Sequence, residues 1–98
     1  MTTRTYTRRE IAVLLELDEP FVAALERERV IEMDAPDDAR GGYSERMLER
    51  VRVAHQLVDE LEVNLAGAAV IVRMREELIG ARRDLRALLL ELRRRGGR

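Results

Sequence analysis

The chain has 98 residues, no cysteine, three aromatic residues and a net charge of −1. One small domain with a projecting element is the expected scale, because a chain this short buries only about 60–70% of its unfolded surface. The missing cysteines exclude disulfides, thiolate metal centres and cysteine nucleophiles, and three dispersed aromatics, Tyr6, Phe21 and Tyr43, exclude a base-stacking surface for single-stranded nucleic acid.

In chain order, Thr7-Arg8-Arg9-Glu10 has the form of a capping box: the hydroxyl accepts from the Glu10 amide while the Glu10 carboxylate reaches back to the cap's own N–H. A first helix is expected to follow, with Ile11, Leu14 and Leu15 inward. Tyr6, just before it, reads as the end of a short strand or as a staple residue. Asp18 is the expected N-cap of a second helix running to about Arg29, with Val22 and Leu25 on one face and Pro20 in the first turn, where its missing N–H costs nothing. About three residues around Leu17 separate these helices, the length of a helix-turn-helix joint. Val30-Ile31-Glu32-Met33 alternates briefly, residues 34–42 are polar and turn-rich, and Tyr43 leads to a helix capped by Ser44, the expected outline of a small β wing.

In the third helix the apolar residues Met47, Val51, Ala54, Val58 and Leu61 recur at three- and four-residue steps as far as about Glu62. Asn64 is the expected cap of a fourth helix reaching about Arg94, whose first part, Leu65 to Val72, should be buried against the head. Even Ala68 to Val72 falls far short of the roughly 20 apolar residues needed to cross a bilayer, so a cytoplasmic chain, neither exported nor membrane-bound, is expected. Farther on, Ile71, Leu78, Leu85 and Leu92 recur every seven residues, with Met74, Ala81 and Leu88 three places after the first three. That is a coiled-coil seam the small head cannot cover, and it predicts a homodimer. Glu77, Asp84 and Glu91 on one flank and Arg75 and Arg82 on the other favour a parallel pair, in which Glu77 meets Arg82 of the second copy. Gly80 lies outside the seam, and the terminal arginines Arg93 to Arg98 favour the helix C-terminus before the chain frays. The expected architecture is all-α: a winged helix-turn-helix head over 1–62 with a small β wing, and a long C-terminal dimerisation helix over 63–98.

Charge divides along the chain. From Met1 to Glu45 six arginines face eleven acids, a net −5; from Arg46 to Arg98 twelve arginines face eight acids, a net +4. The half that would read DNA is the acidic one, and a phosphate backbone requires clustered cations. A basic protein partner fits better. Catalysis finds no support: His55 is the sole histidine and builds no zinc site, Ser44 reads as a cap, no pair of carboxylates stands out, and no Gly-rich phosphate loop follows a strand. No cofactor or metal is expected.

Taken together, Thr-x-x-Glu-x-Ala, the short turn, Val30-Ile31, Gly41-Gly42-Tyr43-Ser44 and Leu61-Glu62-Val63-Asn64-Leu65-Ala66-Gly67-Ala68-Ala69-Val70-Ile71 resemble the MerR-type winged helix-turn-helix group. Within it the chain is most similar to the CbpM-type chaperone modulators, with HspR-like repressors as near relatives; the likeness covers about residues 5–80. DNA-binding members usually carry Thr-Leu-Arg-x-Tyr/Trp-Glu in the second helix, where this chain has Phe21-Val22-Ala23-Ala24-Leu25-Glu26, and an arginine two places before the wing tyrosine, where it has Gly41. Readout of base edges and clamping of phosphates need those side chains. Arg8, Arg9 and Arg40 remain as phosphate contacts, which keeps a MerR/HspR-like DNA-binding repressor as the alternative. The resemblance implies binding to the J-domain of a DnaJ/CbpA-like co-chaperone and inhibition of its use by a DnaK-type chaperone. Charge and placement, rather than a family motif, nominate Glu16, Asp18, Glu19, Glu26 and Glu28 as the partner-binding acids, with Phe21 as an apolar anchor.

Overall fold

A computed structural model describes residues 4–35 and 41–96. Among them are four helices: α1 (Arg8–Leu15), α2 (Glu19–Arg27), α3 (Glu45–Leu61) and α4 (Leu65–Gly96). The α1–α2 pair and the α3–α4 pair make the principal packing contacts. The molecule is extended, 57 × 36 × 19 Å, because a helix the length of α4 is by itself about 48 Å long.

Each helix begins where local chemistry satisfies its first amides. Thr7 completes both halves of the capping box with Glu10: the Glu10 amide donates to the hydroxyl at 3.1 Å, and the Thr7 amide donates to the carboxylate at 2.9 Å. Ser44 accepts from the Met47 amide, and the carboxamide oxygen of Asn64 accepts from the Gly67 amide at 2.7 Å. Asp18 has the extended backbone of an N-cap, yet its carboxylate makes no capping bond. Thr7→Ala is expected to lower stability by about 1 kcal/mol, readable as a reduced urea midpoint with an unchanged slope, since it deletes the acceptor while leaving the fold's buried surface intact.

The core gathers Tyr6, Ile11, Ala12, Val22, Leu25, Val30, Ile31, Tyr43, Met47, Val51, Val53, Ala54 and Val72. α1 presents another face than its periodicity suggests, while α3 buries its expected Met47, Val51 and Ala54 and adds to them. In α1, Leu14 is 51% exposed and Ala12 is buried, while Leu15 packs only partly; the inward arc is turned by roughly 60° from the one centred on Ile11, Leu14 and Leu15. In α3, Leu61 is exposed and Val53 is buried. Val53 lies on the side of α3 from which Arg46, Glu49 and Arg50 reach α4, so α3 buries two faces, one toward the head and one toward α4. The beginning of α4 is likewise only partly covered: Ala68 and Val72 are buried, but Val70 and Ile71 face outward.

The expected wing strand is not formed among the described residues. The one β-type pairing is an isolated antiparallel bridge in which Tyr6 and Tyr43 exchange two backbone bonds of 2.8 Å. Val30 and Ile31 are buried without ladder partners in a strand, after Arg29 takes a left-handed turn at φ 60°. Asp34 supplies the physical reason. Its carboxylate accepts from the Ser44 amide at 2.8 Å and from the Ser44 hydroxyl, so a side chain takes the donor that a neighbouring strand would have used. Farther back, the Ala35 amide donates to the Gly42 carbonyl at 3.1 Å and closes the loop. Residues 36–40, which hold Arg40, the expected phosphate contact, and the expected turn of the wing, lie outside the described residues.

Candidate protein-interaction surface

The link from α1 to α2 is built by two conformational requirements. Glu16 adopts a left-handed backbone, φ 56°, and its amide closes α1 on Ala12 and Val13; Leu17 then donates to the Ala12 carbonyl at 2.8 Å. The result is a tight turn that holds Glu16, Asp18 and Glu19 outward at the start of α2, all three exposed. Among the described residues, Glu19 alone of the three has a cation near it, Arg9 at 3.8 Å. Immediately before the turn, Val13 and Leu14 are 71% and 51% exposed. Sequence periodicity places Leu14 in the core; the structure sets it beside the acids, and the apolar pair is the part of this surface that periodicity misses.

The other nominated residues lie elsewhere. Glu26 and Glu28 are at the far end of α2, roughly 10–14 Å from Glu19 by helix rise. Glu26 is committed inside the molecule: its carboxylate accepts from Arg8 at 2.5 Å. Tyr43 borders the same pair, and its phenol is held above the ordinary range first by burial and then by the Glu26 carboxylate. Glu28 is exposed at the C-terminal cap. The Phe21 ring packs partly against the core and meets His55 edge-on, with centroids 5.6 Å apart. That contact fixes His55 at the core edge and leaves Phe21 half-buried. The five acids therefore form no single patch; Glu16, Asp18 and Glu19 are exposed at the α1–α2 turn, which directly follows the exposed Val13 and Leu14 in the chain.

A second exposed surface runs along α4. Met74, Leu78, Leu85, Leu88 and Leu92 are each at least half exposed, Ile71 is 38% exposed, and Ala81 is exposed with them. Every residue from 81 to 90 is exposed. Among the described residues α4 is tied to α3 in its first half, where Glu76 accepts from Arg50 at 2.5 and 2.7 Å and from Arg46 at 3.1 Å. Those two arginines hold the Glu76 carboxyl below its ordinary range, Arg50 contributing most.

Among the described residues no three histidine, cysteine or carboxylate side chains are grouped to hold a metal ion, and no helix is long and apolar enough to cross a membrane. No protein-family model matches the chain, and no curated protein or solved structure does.

Proposed function

We propose that the protein is a non-enzymatic chaperone modulator, a MerR-like helix-turn-helix head joined to a C-terminal dimerisation helix, that binds the J-domain of a DnaJ/CbpA-like co-chaperone and blocks its use by the DnaK-type chaperone. The observation that carries this reading is the apolar-acidic turn between α1 and α2: Val13 and Leu14 exposed beside Glu16, Asp18 and Glu19. An amphipathic basic helix offers arginine or lysine to the carboxylates and aliphatic side chains to Val13 and Leu14, whereas a phosphate backbone offers nothing to either. Opposite charge quickens the encounter and rejects wrong partners, while the apolar contact slows dissociation. The leucine seam of α4 is assigned to a second copy of the chain.

The test is calorimetric titration of the full chain with the purified J-domain of the same organism. A stoichiometric complex is expected, weakened by salt and weakened at least about tenfold, or 1.4 kcal/mol, by Glu16→Arg with Asp18→Arg. Leu14→Ser should weaken it in a salt-independent way. Absence of a complex, together with binding of duplex DNA whose affinity falls steeply with salt, would replace this reading by the repressor.

A further inference from the structure

The side of α4 that packs on α3 does not end where α3 ends. Val72, Glu76 and Ile79 belong to it, and the same four-three spacing continues as Arg83, Arg86, Leu90 and Arg93, all on one helix face. Glu76 is bound by Arg46 and Arg50 near the start of α3; beyond that point no element among the described residues covers the face. Its near end opens as a groove of about 310 Å³ lined by Arg46, Glu49, Arg75, Glu76, Ile79, Gly80 and Arg83. Its far end is a shallow hollow lined by Arg86, Leu89, Leu90 and Arg93.

Charge on this arm is sorted by side. Arg83, Arg86 and Arg93 have no acidic partner among the described residues, whereas the head's Arg8 and Arg9 are each paired, and Arg94 and Arg95 are held by Glu91. The acids Glu77, Asp84 and Glu91 follow one another at seven-residue steps on another side of the helix. Ile79 and Leu90, 46% and 57% exposed, interleave with the unpaired arginines. Because this face points away from the Ile71–Leu92 seam, pairing with a second copy through the seam leaves it open.

We infer that this face docks an acidic amphipathic helix of a partner protein, lying along α4 in line with α3. Carboxylates at three- and four-residue steps meet Arg83, Arg86 and Arg93, and aliphatic side chains between them cover Ile79 and Leu90, as in helix-in-groove recognition. Duplex nucleic acid satisfies the arginines but leaves the apolar side chains in water, and Ile79 and Leu90, about three turns apart, are too sparse an apolar face to insert into an anionic bilayer. The inference is independent of the J-domain reading, which uses the opposite charge on a different element.

The probe is a fluorescent helical peptide with leucine and glutamate in a four-three repeat, long enough to span residues 79 to 93, titrated with the full chain and followed by anisotropy. Saturable binding is expected, weakened at least about tenfold both by Arg83→Glu with Arg86→Glu and by Leu90→Gln. Light scattering and circular dichroism should show the assembly and helicity of both variants unchanged, because neither touches the seam. The inference is overturned if the peptide does not bind, if either variant leaves binding intact, or if a DNA duplex or anionic vesicles bind with equal affinity and without regard to Leu90. J-domain titration of the same variants should be unaffected, so this failure and that of the chaperone reading are separable.

Discussion

Leu78→Glu combined with Leu85→Glu is expected to leave the chain monomeric and to melt the outer part of α4. Both leucines are more than half exposed in the single chain, and burying such side chains contributes about 1.5–3 kcal/mol each, so two per protomer, replaced by charges, remove more than a small dimer retains. Helix order depends on the same contacts. Residues 81–90 are all exposed, and a lone helix of about 12–15 residues is marginal in water. Light scattering should give a mass near 11.3 kDa for the variant, with reduced ellipticity, against twice that mass for the native chain. A native chain that is itself monomeric at micromolar concentration would remove the second copy from the reading. Orientation is read from Leu92→Cys in this cysteine-free chain: the parallel pairing favoured by Glu77 and Arg82 brings the two thiols together and gives an oxidised dimer, whereas antiparallel pairing holds them at opposite ends.

Arg50→Met should have the largest effect on the head itself. The Arg50 side chain is 16% exposed and Glu76 is 24% exposed; the guanidinium also donates to the Val30 carbonyl at 3.1 Å, so one side chain joins α3, α4 and the segment after α2. Removing it leaves Glu76 partly buried with Arg46 alone, and the expected loss is about 2–3 kcal/mol, a drop in melting temperature of roughly 10 °C or more for a domain of this size. The pH dependence has a definite sign. Glu76 is held below its ordinary value, chiefly by Arg50, and Arg50 is held above its own. The carboxylate therefore contributes stability that is fully present above the ordinary carboxylate range and is lost as pH falls through the lowered value. Arg50 stays charged throughout. The gap in melting temperature between the native chain and Glu76→Gln should narrow as pH is lowered from about 5 to about 3. A gap that stays constant would show that the bond contributes through packing alone.

The helix starts are legible in the sequence because caps are local. Thr7, Ser44 and Asn64 each satisfy the amide three residues ahead, which depends on few distant contacts. Faces are less legible, since they depend on neighbours. With only two turns, α1 has too few apolar positions to fix its inward arc, and small Ala12 takes the place expected of Leu14. Val53 joins the core because α3 has α4 on a second side, a fact that one-faced periodicity does not encode. The wing pattern in Val30–Met33 is present as alternation, but the competing Asp34–Ser44 bonds are a tertiary matter. For the candidate site, local charge exposes the acids at the α1–α2 turn, while the commitment of Glu26 to Arg8 joins residues 18 positions apart and is invisible without the fold.

Gly80 lies at the point where α3 stops supporting α4, bordering the groove beside Arg46 and Glu49. A helical glycine weakens its surroundings by about 1 kcal/mol relative to alanine, so the arm behaves as a cantilever with its softest section at the wall. Unwinding of the outer section can run inward to that point and stop there, sparing the anchored half. An uncovered arm is thereby exposed to proteolytic trimming while the head endures, and covering it on either side converts occupancy into rigidity.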